Sequence, residues 1–304
     1  MYIIADTYAD AYQKLRTQFL SEEALLLVSP RGIQTKEMLQ VTVEIAYPRY
    51  RLGWHPQRHY SLPFALAEAI QLFDNDKKLA PIQFINSRIK RFSDDGETLY
   101  GAYGPRLTPY FTHVIEKLKK DKDSRQVILP IIRQYDIEKE ATNNYPCTIS
   151  LQFAIRKNTL FMFTQMRSND FVWGFPYDVF MFTCLQEIIA NELGIDVGPY
   201  YHTTSSLHVY EETFHFLEEV DHFVPICMSL PYRLADMPEF VSFVRALKTY
   251  RPQDIERETE DTLKLIFASF LRAKQHLEYK STHIEWAEPF MYDLYIEKNP
   301  IQVA

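Results

Sequence analysis

Glycine is scarce in this sequence, with 8 in 304 residues, and neither a GxGxxG nor a Walker-type lysine loop occurs. We therefore do not expect a phosphate site lined by loop backbone. No apolar run approaches the ~20 residues that span a bilayer, and the first residues lack the basic and apolar segments of a signal peptide. The three cysteines, Cys147, Cys184 and Cys227, are far apart, which gives no metal-ligand spacing and suits free thiols in a reducing compartment. These absences predict a cytoplasmic protein without a metal.

What is present is typical of a folded enzyme. The sequence is 46% hydrophobic, 24% charged and 14% aromatic, as expected for a globular chain with a sizeable core. Its formal net charge of −7 argues against sequence-independent binding to nucleic acid. A local arginine cluster can still bind a small anion on an acidic protein.

Hydrophobic periodicity predicts helices and strands that do not alternate regularly, which favours an α+β fold over a doubly wound one. The predicted helices are Asp6–Leu20 with Asp6 as N-cap, Phe64–Phe73, Pro109–Lys120, Tyr177–Leu193 and Asp254–His276. The predicted strands are Ala24–Ser29, Leu39–Ala46, Gln126–Ile132, Thr148–Ile155, Leu160–Met166 and Tyr200–Tyr210. No linker or repeat is visible, so residues 1–304 are expected to form a single domain.

Candidate chemistry begins with Cys147, which lies at the entry to a predicted strand. A cysteine in that position is more often inert packing than a nucleophile. Arg167, Ser168 and Asp170 follow the next apolar strand, where an arginine and a serine together can hold a phosphate. A nearby guanidinium would also favour the thiolate form of a cysteine.

Two further motifs follow, and each has a structural explanation beside a functional one. Asp178 opens an apolar helix and could act only as a cap, worth about 0.3–1 kcal/mol. His208 and Tyr210 alternate on one strand and therefore face the same side, but both residue types are often partly buried in cores.

The order and spacing of these motifs resemble the thymidylate synthase family, most specifically from about Arg125 to Tyr210. Pro-Cys, Arg-Ser-x-Asp, Gly-x-Pro-x-Asp and His-x-Tyr follow one another as the family's blocks do. The resemblance is traceable earlier at Arg31, at Glu68 and in the turn that contains Tyr103. It implies a thymidylate-synthase-like fold, a mixed sheet packed with helices, which forms a homodimer through the sheet.

The resemblance also implies roles. Cys147 would add to C6 of a pyrimidine nucleotide, making C5 nucleophilic towards the one-carbon unit of 5,10-methylenetetrahydrofolate. The other implied site residues are Arg31, Arg167 and Ser168 for the 5′-phosphate, Arg125 reaching the partner's phosphate, His208 and Tyr210 for the sugar, Glu68 for the proton-transfer water, and Asp170 for the folate. In the family, the partner subunit supplies two arginines from a Ser-Arg-Arg motif. Here Gln126 follows Arg125, so only the first of the two arginines is kept.

Four departures from the family pattern matter. Asp178 stands where thymidylate synthases have asparagine, and the cytidylate hydroxymethylase branch shows the same aspartate. A carboxylate accepts from N4 of cytosine, and a protonated one could also donate to N3. No tryptophan occurs between Trp54 and Trp173, so Asn86 and its neighbours would make a more polar pocket that admits water. Thr148 replaces a histidine, and Ser205-Ser206 replaces Gly-Asp; the residues alone give no physical account of these two.

The sequence therefore predicts a cytidylate 5-hydroxymethylase that acts on CMP or dCMP with methylenetetrahydrofolate and water. The alternatives are a thymidylate synthase acting on dUMP and a non-catalytic nucleotide-binding relative. The choice between ribose and deoxyribose stays open, and with it the choice between modified phage DNA and a nucleoside natural product. An extended helical segment is expected at about residues 211–285, with no role assigned to it.

Overall fold

The computed structural model describes residues 1–21, 25–55, 57–58, 60–220 and 222–280, with the backbone alone for 276–280. The strands are β1 Tyr2–Ala5, β2 Leu26–Val28, β3 Thr35–Ile45, β4 Leu52–Trp54, β5 Ile128–Pro130, β6 Thr148–Arg156, β7 Thr159–Met166, β8 Asn169–Asp170, β9 Asp196–Tyr210 and β10 Val224–Ile226. The α-helices are α1 Tyr8–Ser21, α2 Leu62–Gln71, α3 Ala80–Ile85, α4 Gly104–Leu107, α5 Phe111–Lys120, α6 Gln134–Ile137, α7 Phe175–Leu193, α8 Phe216–Glu219, α9 Met237–Ala246, α10 Pro252–Glu258 and α11 Thr262–Lys280. The α+β class is confirmed.

One mixed sheet organises the described residues, with strand order β1-β3-β9-β7-β6-β5. Strand β2 pairs with β3, and the short β8 pairs with β9. Strand β9 is antiparallel to β3 and parallel to β7, and β6 is antiparallel to β7. This order places the end of β7, the start of β6 and the C-terminal half of β9 side by side. The predicted site residues lie where those three strands meet.

Helix α7 packs against the sheet and is apolar around most of its circumference, as a helix buried on all sides should be. Pro176 occupies its first turn, where the missing N–H costs nothing. Gly194 ends it in the left-handed conformation at φ 67°. The helix contacts α2, so the N-terminal end of α7 and the middle of α2 approach the same end of the sheet.

The described part of the segment after Tyr210 is mainly helical, with one short strand. It contributes β10, which pairs antiparallel with β4. Helices α9 and α11 pack on α2, and α9 also packs on α3. Lys274 donates from Nζ to the carbonyl of Phe84 at 3.0 Å. Within the described residues the segment thickens the helical layer behind α2; residues 281–285 lie outside them.

Several predicted boundaries were wrong for local reasons. Strand β1 was not predicted, although it pairs parallel with β3. Helix α1 starts at Tyr8, and the hydroxyl of Thr7, not Asp6, accepts from the amide of Asp10 at 3.2 Å. The single helix predicted from Asp254 is two, α10 and α11, because Thr259 has an extended backbone at φ −146°, ψ 148°. Residue 24, in the first predicted strand, lies outside the described residues.

The described residues contain neither a membrane-spanning helix nor a cluster of metal ligands. None of their helices is long and apolar enough to cross a membrane. No group of three or more histidine, cysteine, aspartate or glutamate side chains among them could hold a metal ion.

Candidate active site

Cys147 lies immediately before β6 and is half-buried. Arg167 follows β7 and is fixed against the cysteine's own loop: its backbone N–H donates to the carbonyl of Cys147, and its Nε donates to the carbonyl of Pro146, both at 2.9 Å. Its Nη2 donates to the carbonyl of Tyr145 at 3.1 Å and lies 3.7 Å from the Cys147 sulfur. The structure thus brings together the predicted nucleophile and the predicted phosphate-binding arginine.

The electrostatics of the thiol differ from the sequence-based expectation. Burial raises the pKa of Cys147, and the positive charges of Arg167 and Arg31, which lower it, do not outweigh that effect. The resting cysteine is therefore held as the thiol. A nucleophilic role requires a change on ligand binding or a base that takes the proton.

Arg31 reaches the same region from the turn between β2 and β3. Its backbone is left-handed at φ 55°, an uncommon conformation for a residue with a side chain. Burial raises the pKa of the Tyr210 hydroxyl, and the positive charge of nearby Arg31 opposes that shift. Two predicted anion contacts, Arg31 and Arg167, thus flank Cys147 from different loops.

His208 and Asp170 are cross-strand partners on β9 and β8. Burial raises the pKa of Asp170 and lowers that of His208, so both shift towards their neutral forms. One carboxylate oxygen of Asp170 accepts from the backbone amides of Val172 and Trp173 at 2.8 and 3.2 Å. Its other oxygen accepts no hydrogen bond from the described residues.

Asp178 and Glu68 form a second acidic pair, on α7 and α2. Burial raises the pKa of Asp178 to about 7, and burial together with the charge of Asp178 raises that of Glu68 well above its usual range. Nδ2 of Asn169 donates to Oδ2 of Asp178 at 2.7 Å. A side chain from β8 therefore holds the carboxyl group of Asp178 in place.

Behind Asn169, three side chains that sequence reasoning missed continue the network. Oδ1 of Asn169 lies 2.9 Å from Nε2 of His202, whose Nδ1 lies 2.9 Å from the Tyr200 hydroxyl. That hydroxyl lies 3.1 Å from Oγ1 of Thr164. A signal was available: Tyr200 and His202 are polar at alternate positions of a predicted strand.

The structure accounts for Thr148, which the sequence left unexplained. The backbone N–H and the hydroxyl of Thr148 both donate to the hydroxyl of Tyr103, at 3.2 and 3.0 Å. Charges on Cys147 and Asp178 both raise the pKa of that hydroxyl, although burial contributes most. Thr148 thus holds Tyr103 near Cys147.

Three predicted site residues are not drawn into this cluster by any contact of the described residues. Ser168 lies half-buried between Arg167 and Asn169. Asn86 caps a short turn by accepting from the amide of Arg88 at 3.1 Å. Arg125 lines a separate pocket of about 300 Å³ on the sheet face, with Arg156, Gln152, Ala154, Phe161, Phe163 and Tyr201.

Cys147 and Arg167 thus lie at adjacent strand ends, in the same region as the acidic residues of α7 and α2. The sequence profile of the family described as Thymidylate synthase matches residues 91–236, which contain most of the cluster. Over those residues the chain is similar to the thymidylate synthase family.

Two phage proteins are similar to this chain over part of its length. The chain is 30% identical over 205 residues to the deoxyuridylate hydroxymethyltransferase of Bacillus phage SP01, covering 62% of this chain and 54% of that protein. It is 28% identical over 180 residues to the deoxyuridylate hydroxymethyltransferase of Pseudomonas phage M6, covering 57% and 51%. It therefore spans about half the length of these relatives. Thermostable thymidylate synthase A from Bacillus subtilis shares the fold, with a TM-score of 0.55 at 17% identity, covering 70% of this chain and 83% of that one.

Proposed function

We propose that this chain is a pyrimidine nucleotide 5-hydroxymethyltransferase that uses 5,10-methylenetetrahydrofolate, with cytidylate, CMP or dCMP, as its nucleotide. The observation that carries the proposal is the carboxyl group of Asp178, held by Asn169 in the cluster that contains Cys147. The family supplies the one-carbon chemistry, and the residues of this chain supply the choice of base and of product.

The nucleotide's phosphate would be held by Arg31, Arg167 and Ser168. The Nε and Nη2 groups of Arg167 are occupied by backbone carbonyls, whereas its Nη1 has no hydrogen-bond partner among the described residues. An arginine anchored in this way presents a fixed donor to an anion and loses little entropy on binding. Tyr210 and His208 lie beside this arginine pair, where the sugar would follow the phosphate.

The covalent step uses Cys147. Its thiolate forms a bond to C6 of the pyrimidine, and the electron pair of the C5–C6 double bond passes to C5, which then bonds to the one-carbon unit. Loss of the C5 proton would expel tetrahydrofolate as the bond between its nitrogen and the transferred carbon breaks. Water would then add to the exocyclic methylene that remains, and the C6–sulfur bond would break to give the hydroxymethyl nucleotide. Glu68, whose pKa is raised by burial and by the charge of Asp178, would organise the water and the proton transfers.

The residues present fit a folate as co-substrate, which would supply the one-carbon unit and leave as tetrahydrofolate. Asp170 keeps one carboxylate oxygen without a donor among the described residues and would accept from a pterin N–H. Its backbone-held oxygen fixes the orientation of the carboxylate before the ligand arrives.

Water, rather than hydride, completes the reaction in this proposal. Tryptophan is absent between Trp54 and Trp173, so no indole from that stretch can shield the transferred carbon. The corresponding stretch carries Asn86 and exposed polar neighbours. The two phage relatives carry hydroxymethyltransferase names, which favours the same outcome.

The relatives and Asp178 favour different bases. The relatives are named for deoxyuridylate, which makes uridylate hydroxymethylation the second candidate. Cytosine is favoured by Asp178, because a carboxyl group with a pKa of about 7 can accept from N4 and, when protonated, donate to N3. We expect Asp178→Asn to shift the preference towards the uracil nucleotide, as in family members with asparagine there; an unchanged preference would leave Asp178 as a cap only.

Dimerisation through the sheet is part of the proposal. The sheet face away from α7 carries apolar side chains that are more than half exposed, Tyr2, Ile4, Leu39 and Ile128. Arg125 lies on this face beside the stacked pair Phe163–Tyr201, whose ring centroids are 4.9 Å apart. A second copy covering the face would bury these groups and bring Arg125 towards the partner's phosphate site.

The test is to identify products by mass after incubating the enzyme and methylenetetrahydrofolate with CMP, dCMP, UMP or dUMP in turn. A hydroxymethylated cytidylate with release of tetrahydrofolate is expected. A methylated product with dihydrofolate would identify a thymidylate synthase instead. Turnover of uracil nucleotides alone would refute the choice of base.

A further inference from the structure

A buried chain of hydrogen bonds ends on Asp178 and extends well beyond any residue that could touch the nucleotide. From the carboxyl group inward its members are Asn169, His202, Tyr200 and Thr164. Their exposed fractions are between 0% and 3%, so water does not compete for their hydrogen bonds. Because buried polar groups need partners, the orientation of each side chain constrains the next.

The imidazole of His202 and the amide of Asn169 constrain each other's orientation. Burial lowers the pKa of His202 to about 3, so the ring is neutral and carries a single N–H. When Nδ2 of Asn169 donates to Asp178, Oδ1 faces Nε2 of His202, and that nitrogen must carry the hydrogen. A reversed amide would place Oδ1 of Asn169 against the carboxyl group and Nδ2 against the Nε2 hydrogen.

We propose that Asn169, oriented by His202, is a positioning residue for base selectivity: it keeps Oδ2 of Asp178 an acceptor, so that Oδ1 is the oxygen that carries the proton when the carboxyl group is protonated. The inference rests on the proposed function of Asp178 as the residue that reads the base. It adds a reason for selectivity that lies outside the nucleotide pocket.

Base selectivity depends on which oxygen of the carboxyl group carries the proton. A carboxyl group that can carry its proton on either oxygen presents a donor and an acceptor in either order, so it can match both cytosine and uracil. Fixing one oxygen as the acceptor leaves only one order, which suits one base and opposes the other. Loss of the restraint should therefore bring the affinities for the two bases closer together.

The experiment replaces His202 with phenylalanine. The ring of His202 packs edge-on against Phe175 at 5.3 Å between centroids, and a phenyl ring preserves that contact while it removes both nitrogens. We expect the ratio of the dissociation constants for UMP and CMP, or for dUMP and dCMP, to move towards 1 by roughly tenfold, the size of one lost hydrogen bond. Binding is measured by titration without folate, so the readout needs no turnover.

Two further variants separate positioning from general damage. His202→Gln restores an N–H donor to Oδ1 of Asn169 and should recover most of the wild-type ratio. Thr183→Val removes an equally buried hydroxyl that bonds only to the carbonyls of Val179 and Phe180, and it should leave the ratio unchanged. Equal weakening of both nucleotides in His202→Phe, with the ratio within about twofold of wild type, would overturn the inference.

Failure of the proposed function has a different signature. A wild-type protein that prefers uridylate would refute the cytidylate assignment, but the ratio in His202→Phe should still move towards 1. A wild-type protein that prefers cytidylate, together with an unmoved ratio in His202→Phe, would retain the assignment and reject the role of His202.

Discussion

The ion pair between Arg106 and Asp136 gives a sharp prediction about what holds the site's scaffold together. Asp136 is 0% exposed and accepts from Arg106 Nη1 at 2.5 Å, from Arg106 Nη2 at 2.9 Å and from the amide of Arg133 at 2.6 Å. Arg106 also donates to the carbonyls of Tyr100 and Ile131. The pair therefore joins the turn that carries Tyr103 to the segment that leads towards Cys147.

Asp136→Asn keeps the side chain's shape and removes its charge. Arg106 is only 5% exposed, so its charge would be left buried without a counter-ion, which typically costs about 3–5 kcal/mol. We expect the urea midpoint, followed by circular dichroism, to fall by a matching amount at constant slope. The matched control is Asp254→Asn in the pair with Arg251, which is 70% exposed; the expected loss there is below about 1 kcal/mol.

The pH dependence adds a second measurement of the same pair. Burial alone would raise the pKa of Asp136, but the hydrogen bonds and charge of Arg106 hold it below its usual value. A carboxyl whose folded pKa is depressed stabilises the protein above its unfolded pKa, and this stabilisation disappears as the pH falls through the folded pKa. The stability difference between wild type and Asp136→Asn should therefore shrink in acid. A difference below about 1 kcal/mol at neutral pH would refute the reasoning.

The remaining predictions concern chemistry. Cys147→Ser should abolish exchange of the C5 proton with solvent and leave nucleotide binding largely intact; retained exchange would exclude Cys147 as the nucleophile. The preference between cytidylate and uridylate should change with a midpoint near pH 7, because Asp178 is protonated below its pKa of about 7 and ionised above it; a flat profile would contradict its role at the base. Thr148→Val should lower kcat about tenfold by freeing Tyr103, with Thr183→Val as the control, and equal effects would mean generic destabilisation.

The buried thiol has a mechanistic consequence. Because the pKa of Cys147 is raised, the free enzyme would hold little of the reactive thiolate, and its proton must leave after the nucleotide binds. Half-buried Tyr103 already accepts two hydrogen bonds from Thr148, which makes its hydroxyl better suited to donate than to take that proton. The acidic pair Glu68 and Asp178, whose pKa values are both raised, is the better candidate for moving protons in this site.

The sequence by itself indicated the resemblance to the thymidylate synthase family, the nucleophile candidate and the long elements. Periodic apolar patterns identified α7 and β7 nearly to the residue, because a continuous buried surface imposes its period on the chain. The motif order from Arg125 to Tyr210 indicated the candidate site residues, because reacting groups need particular side chains at particular strand and helix ends. Short elements such as β1 escaped, since a four-residue strand carries little periodic signal and depends on a partner far along the chain.

Only the tertiary structure decided what surrounds those residues. The hydrogen bonds from Thr148 to Tyr103 and from Asn169 to Asp178 join elements whose spacing along the chain does not predict that they are in contact. The same holds for the pKa shifts, because burial is a property of the packed core and reverses the effect that Arg167 alone would have on Cys147. Residue types and their order thus indicate which chemistry is available, whereas burial and hydrogen-bond partners set the protonation state and orientation in which each group acts.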